Sequence, residues 1–342
     1  MAGLDPAELD SAELDSPALA SAGRILDERD VQRMAALLAR RPRWSERHPA
    51  VYPLAVRAFR CRRRLEWWRS RTAWARDREP ADLGVRVKTH ASLLLRQLGE
   101  SEMALQHGKV VNLRLASARL DGVLIRPRET LSFNRLVGNC TRRRGYVEGM
   151  RLSNGAAQAG VGGGICQLAN LVHWLALHSD LTVADRSEHS FDPFPDKGRV
   201  LPWGSGCSIV YNYVDLQLRN DTDSTFQLRV QVGERYLEGR LLADREQQRS
   251  YHVEARHERF YRLRGRHFRA NELWRRVVDR RTGRALGEEL VRRNCALVTY
   301  APGESVDVLD VDALLDRGGV VVPAQGRSIS PPRAAAAERL RR

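Results

Sequence analysis

Lysine is nearly missing from this chain. It carries 57 basic residues, yet lysine occurs only at Lys88, Lys109 and Lys197. That bias points to GC-rich arginine codons rather than to a mechanism. Cysteine is sparse and irregular: Cys61, Cys140, Cys166, Cys207 and Cys295 are odd in number and form no CxxC. This argues against a disulfide framework and for a reducing compartment. Cys140, Cys166, His189 and Cys207 have ligand chemistry, but none of their spacings is zinc-like, so no metal and no other cofactor is expected. No apolar run approaches the ~20 residues of a membrane-spanning helix. The first 24 residues hold five acidic groups, one arginine and no apolar core, so no secretory signal is expected and the predicted location is the cytoplasm.

What is abundant is positive charge. The chain has 342 residues, 42% of them hydrophobic, enough for a sizeable core, and a net charge of +15. Most of the excess lies between Arg40 and Glu79, where thirteen arginines face four acidic residues. Such a balance suits anionic partners. Within it, Phe59-Arg60-Cys61-Arg62-Arg63-Arg64-Leu65-Glu66-Trp67-Trp68-Arg69 mixes arginine with tryptophan. The plainer reading is a helix with solvated arginines. The functional one is a contact of residues 57–76 with an anionic membrane surface. Nucleic acid is disfavoured, because no nucleic-acid-binding motif accompanies the run.

The expected organisation is a disordered acidic tail (1–24), a helical Arg/Trp-rich region (25–115), an α+β domain (116–310) and a mobile basic tail (311–342). Helical patterns are read over residues 85–98 and from Ser101, the latter burying Leu105, Leu113, Ala116 and Leu120 and ending at Asp121-Gly122. Strands are expected at 123–125, over the alternating stretch 208–218, and in a hairpin of 225–232 with 236–242. Further strands are expected at 251–255, 273–279 and 296–300, with Arg281-Thr282-Gly283 as a turn. The predicted class is α+β: an N-terminal helical region, then a glycine loop and cysteine helix packed on a mostly antiparallel sheet.

The chemistry concentrates at Gly162-Gly163-Gly164-Ile165-Cys166-Gln167. Ile165, Leu168, Leu171, Val172 and Leu175 form one stripe, so a core-packed helix is expected to open at Cys166. The first-turn amides of a helix favour a thiolate and would lower the Cys166 pKa. With the glycine-loop amides they could also hold an oxyanion. His189 is the candidate general base. Asp192, Asn212 and Asp215 are open alternatives for orienting the imidazole. Gly162, Gly163, Gly164, Gln167, Asn170, Tyr211 and Asn212 are the candidate substrate contacts. His173 and His178 on the helix are read as packing or surface residues. The competing structural reading makes Cys166 a small buried hydrophobe and the glycines a tight turn.

Several motifs in order carry a family resemblance. They are Pro127-Arg128-Glu129-Thr130-Leu131-Ser132-Phe133-Asn134, Val137-Gly138-Asn139, Gly145-Tyr146 and Gly149. Further along come Gly162-Gly163-Gly164-Ile165-Cys166-Gln167-Leu168-Ala169-Asn170, His189-Ser190-Phe191-Asp192, Tyr211-Asn212-Tyr213-Val214-Asp215-Leu216 and Asn220-Asp221-Thr222. Over roughly residues 40–300 the chain resembles the VanW family, and most closely its short, stand-alone members. The resemblance implies an accessory role in glycopeptide (vancomycin) resistance, and a peptidoglycan precursor or peptide is the ligand expected for the cysteine site. Two departures stand out. Arg128 replaces the glycine of a usual Pro-Gly-Glu, and Gly204-Ser205-Gly206-Cys207 replaces a Gly-Arg-Asp-Ala stretch. The second departure leaves Asp192 or Asp215 to supply a carboxylate. A cysteine-dependent hydrolase or transferase is the function read from the residues. The alternative is a non-catalytic module binding an anionic cell-wall precursor or the membrane surface.

Overall fold

Residues 26–39, 48, 50–95, 103–153, 156–187, 190–196, 199–304, 306–316 and 321–322 are described by a computed structural model. The expected acidic tail, residues 323–342 of the basic tail, and the candidate base His189 lie outside the described residues.

The chain enters through β1 (Leu26–Asp27) and α1 (Glu28–Leu38), which places Met34 in a fully buried position. Helix α2 (Tyr52–Arg69) follows, with a proline in its first turn, where the missing N–H costs nothing. It ends at Ser70, whose backbone N–H donates to Glu66 O at 2.9 Å. No residue of α2 is buried. After β2 (Ala73–Trp74) comes β3 (Val85–Leu93), so the helix expected over 85–98 is instead a strand in its described part. Val85, Val87 and Thr89 put β-branched side chains at alternate positions, which favours strand. An antiparallel partner runs alongside, from Val85 opposite Ala243 to Leu93 opposite Tyr236. Helix α3 (Met103–Ser117) buries Leu113 and Ala116, with Leu120 just beyond its end also buried and Leu105 half-buried.

Strands β4 (Val123–Ile125) and β5 (Glu129–Ser132) lead into the short helix α4 (Phe133–Val137), capped by Ser132 Oγ, which accepts from Arg135 N. The hairpin of β6 (Glu148–Ser153) and β7 (Ala156–Val161) then delivers the glycine loop and helix α5 (Cys166–Leu177). Helix α5 is apolar almost all round, as expected of a helix inside a core. Leu168, Leu171 and Leu175 are fully buried, each contributing about 2 kcal/mol by removal from water.

The remainder is mostly strand: β8 (Thr182–Asp185), β9 (Phe191–Asp192), β10 (Gln217–Arg219), β11 (Phe226–Val232), β12 (Tyr236–Ala243), β13 (Arg249–Leu263), β14 (Arg266–Asp279), β15 (Ala285–Val298) and β16 (Val308–Asp310), then α6 (Val311–Asp316) and β17 (Val321–Val322). The β11–β12 hairpin and the turn at 281–283 fall where the sequence puts them. The alternating stretch 208–218 does not form a long strand. Only β10 is strand there, and Val210 to Val214 close a turn around Asn212, which has a left-handed φ of 53°.

The architecture is α+β with mostly antiparallel sheets. Two four-stranded sheets, β2-β5-β10-β8 and β3-β12-β11-β4, share the main core with α3 and α5. A five-stranded sheet, β16-β13-β14-β15-β9, carries a second core with α1. Trp174 and Leu177 of α5 pack with Leu273 of β14 in a third cluster, so α5 is held from both directions. Among the described residues no helix is long and apolar enough to cross a membrane.

Candidate functional site

The glycine run is explained first by close packing. A Cβ at Gly163 would overlap the backbone carbonyl of Gly149 in β6, and one at Gly164 (φ 94°) would overlap the Lys109 side chain from α3. Buried Asn112 of α3 clamps the same loop: its Nδ2 donates to Gly163 O at 2.9 Å and to Val147 O at 3.0 Å, and its Oδ1 accepts from Val147 N at 2.9 Å. The first amides of α5 are taken up by this loop as well. Gln167 N donates to Gly164 O at 3.0 Å, and Leu168 N and Ala169 N donate to Ile165 O at 3.0 and 3.2 Å. Gly162 (φ 76°) lies against Cys140.

Cys166 is the first residue of α5 and is half-buried. Burial pushes its thiol above the usual range; the backbone amides of Ile209 and of Cys166 itself act in the opposite direction, favouring the thiolate. The lowered thiol expected at a helix start is therefore not realised. Three of the first-turn amides are satisfied by loop carbonyls, and desolvation of the sulfur outweighs the rest. The thiol is protonated at neutral pH, so attack on a carbonyl requires a base. His189 follows two positions after Ser187, whose carbonyl accepts from Ser208 N at 2.8 Å. Ser208 in turn precedes Ile209, whose amide favours the Cys166 thiolate.

The other candidates are distributed as follows. Gln167 ties α5 to β3, its Nε2 donating to Ser92 Oγ and Leu93 O, both at 2.9 Å. Asn170 Oδ1 accepts from Cys207 N at 2.6 Å. Tyr211 is half-buried, with the Arg60 guanidinium 5.2 Å from its ring centre. Asn212 is 1% exposed, and neither atom of its amide has a hydrogen-bond partner among the described residues. Asp215 accepts from Ser132 Oγ (2.5 Å), Asn134 N (2.8 Å), Leu216 N (2.9 Å) and Gln217 Nε2 (3.2 Å). Burial still raises its carboxyl to about 6. Asp192 belongs to the charge cluster of the five-stranded sheet. It lies 3.2 Å from Arg269 and 3.7 Å from Arg199, and it accepts from Tyr300 OH at 3.2 Å, while burial pushes its pKa up.

Of two further groups, Arg186 is not singled out in the sequence and His173 is read there as a packing or surface residue. His173 is fully buried with Nδ1 2.8 Å from Ser205 O, while its Nε2 has no partner. Burial, reinforced by the positive charge of Arg186, lowers its pKa to about 3, so it stays neutral. Arg186 donates to the Gly204 carbonyl and to Gly206 O (2.6 Å), organising the loop where the aspartate-bearing family stretch is replaced. Cys207 in that loop is buried, its thiol pushed up to about 12 by burial, with Arg186 offsetting part. Arg186 directly precedes the Ser-Glu-His motif, but no periodicity marks it.

The family described as VanW like protein matches residues 108–242, a span that runs from α3 through the glycine loop, α5 and the 209–215 turn to β12. The Vancomycin B-type resistance protein VanW of Enterococcus faecalis (strain ATCC 700802 / V583) is 34% identical over 211 residues, covering 62% of this chain and 77% of that protein. The Uncharacterized protein YoaR of Bacillus subtilis (strain 168) is 33% identical over 96 residues, which is 27% of this chain and 32% of that protein. No solved structure matches. The match to the enterococcal protein extends over most of its length, the family match contains the cysteine helix and its glycine loop, and the chain belongs to the VanW family.

Proposed function

We propose that this protein is a cysteine-dependent acyltransferase or hydrolase acting on peptides of peptidoglycan or its precursors, in an accessory role of the glycopeptide-resistance type. The observation that carries this reading is the placement of Cys166 as the first residue of a core helix, directly after a glycine loop that Asn112 clamps in position. Cys166 Sγ attacks the peptide carbonyl as His189 takes the thiol proton. The proton then passes to the departing amine, and water or a second amine resolves the thioester. Asn212 supports the role of orienting group. Asp215 and Asp192 are already hydrogen-bonded to other groups, whereas the Asn212 amide is buried without a partner. The substrate is met on the cytoplasmic side. The test is incubation of the full chain with a muramyl-peptide precursor, followed by mass spectrometry. A mass adduct on Cys166 and products that vanish in Cys166→Ala are expected; equal turnover by Cys166→Ala overturns the reading.

A second reading is favoured by the raised thiol, which opposes nucleophilic attack. In it the site is a ligand-holding module without turnover. Calorimetry separates the two: here Cys166→Ser binds the precursor as the wild type does, and neither protein releases product.

A further inference from the structure

The surface between α2 and the segment around β2 carries a second feature, and the argument for it does not depend on Cys166. Two contiguous hollows of about 350 and 370 Å³ share Arg64, Trp67, Arg76 and Arg135 as lining residues. No aspartate or glutamate lines either of them. We propose that this groove, with Arg64, Arg76 and Arg135 set among Trp67, Trp68 and Trp74, is a binding site for a phosphorylated anion of the diphosphate class.

Four observations support it. First, the three guanidiniums make no ion pair among the described residues, although neighbouring arginines do: Arg62 and Arg63 pair with Glu66 at 3.0 and 3.6 Å, and Arg63 with Asp185 at 2.6 Å. Second, Arg135 packs against a pair of indoles that meet edge to face, 4.9 Å from the Trp67 ring and 4.6 Å from the Trp74 ring. Stacking of this kind fixes a guanidinium in place without neutralising it. Burial and the nearby charge of Arg76 lower the Arg135 pKa, with the charge of Asp215 offsetting part. Third, Trp67 Nε1 is buried with no hydrogen-bond acceptor, so a donor is left over in the groove wall. Fourth, α2 contributes nothing to the core, and Trp68 is 79% exposed at the rim. The exposure of Trp68 on a helix with no fully buried residue is not explained by packing.

The chemistry selects phosphate over carboxylate. A single carboxylate satisfies one guanidinium fork, whereas a diphosphate presents enough charge and oxygens for three. The hollows suit a head group with a planar or apolar attachment against an indole, not a long polymer. Such a diphosphate reaches the groove either on a soluble nucleotide or on a lipid.

The test uses the full chain in low and high salt. Inorganic pyrophosphate and uridine diphosphate are titrated by calorimetry, and vesicles of phosphatidylcholine with and without a prenyl diphosphate are assayed by sedimentation. Arg64→Gln and Arg76→Gln alter exposed residues, so the fold is retained, as circular dichroism checks. Arg245→Gln, exposed and outside the groove, is the control. Saturable, salt-sensitive binding that weakens about tenfold in each groove variant, and not in the control, is expected for charge-assisted hydrogen bonds. Binding of the soluble ligands alone places the diphosphate on a nucleotide. Vesicle binding competed by pyrophosphate places it on a lipid. Absence of binding to all probes, equal weakening in Arg245→Gln, or vesicle binding that pyrophosphate does not compete overturns the proposal.

Discussion

Asn112 on α3 and Gly163 in the loop before Cys166 are joined by a 2.9 Å hydrogen bond, and the same Asn112 amide also holds Val147 at the entrance to β6. One buried side chain thus sets the height of the glycine loop over α5. The position of Cys166 depends on a helix about fifty residues earlier as much as on its own glycines.

Asn112→Ala is expected to strand the Gly163 and Val147 carbonyls and the Val147 amide, at about 2–3 kcal/mol in total. Urea unfolding measures the loss. A change below about 0.5 kcal/mol would show that water replaces the clamp.

The alkylation rate of Cys166 by iodoacetamide, followed by peptide mapping, is expected to rise with an inflection above the ~8.5 of a free thiol. Cys207, buried and pushed up to about 12, is expected to react only on unfolding. An inflection for Cys166 below ~8.5 would mean that an imidazole pre-ionises it, contrary to the balance drawn from burial.

Asp215 links stability to pH. Its folded pKa is about 6, above the ~3.9 of a free aspartate, so the folded state holds the proton more tightly. The stabilisation is complete below about 4 and is lost as pH rises through about 6. Asp215→Asn is expected to flatten the pH dependence of unfolding in that window by about 2–3 kcal/mol. Parallel stability curves for wild type and variant between pH 4 and 7 would contradict this.

Arg269 sits 2% exposed among Asp192, Asp196 and Glu258, with the Trp203 ring 4.8 Å away. Arg269→Met leaves the buried Asp192 without its closest cation and is expected to destabilise by about 3–5 kcal/mol. Adding Asp192→Asn should recover part of the loss, which a double-mutant cycle in guanidinium chloride resolves.

The local part of the site was legible. Glycines, a cysteine and an amphipathic stripe sit side by side in the chain, and a buried helix opens at Cys166 as that pattern requires. The strand at 85–93 reads as helix in the sequence because short apolar runs fit both periods, and only its pairing with β12 decides between them. Residues 208–216 alternate well enough for a strand. They turn instead because Asn134 Nδ2 donates to the carbonyls of Val210 and Val214 at 3.2 and 2.9 Å, across about eighty residues of chain.

The roles of the polar candidates belong to tertiary structure for the same reason. Asp215 finds Ser132 and Asn134, Asp192 finds Arg269, and Asn212 is left with no partner, none of which neighbouring residues reveal. The sequence by itself determined the family, the α+β class and the cysteine at the head of a core helix, because these rest on contiguous motifs and periodicity. The tertiary structure decided the protonation of Cys166 and Asp215 and the gathering of three unpaired arginines beside the tryptophans. Desolvation and charge proximity arise only when segments far apart in the chain are brought together.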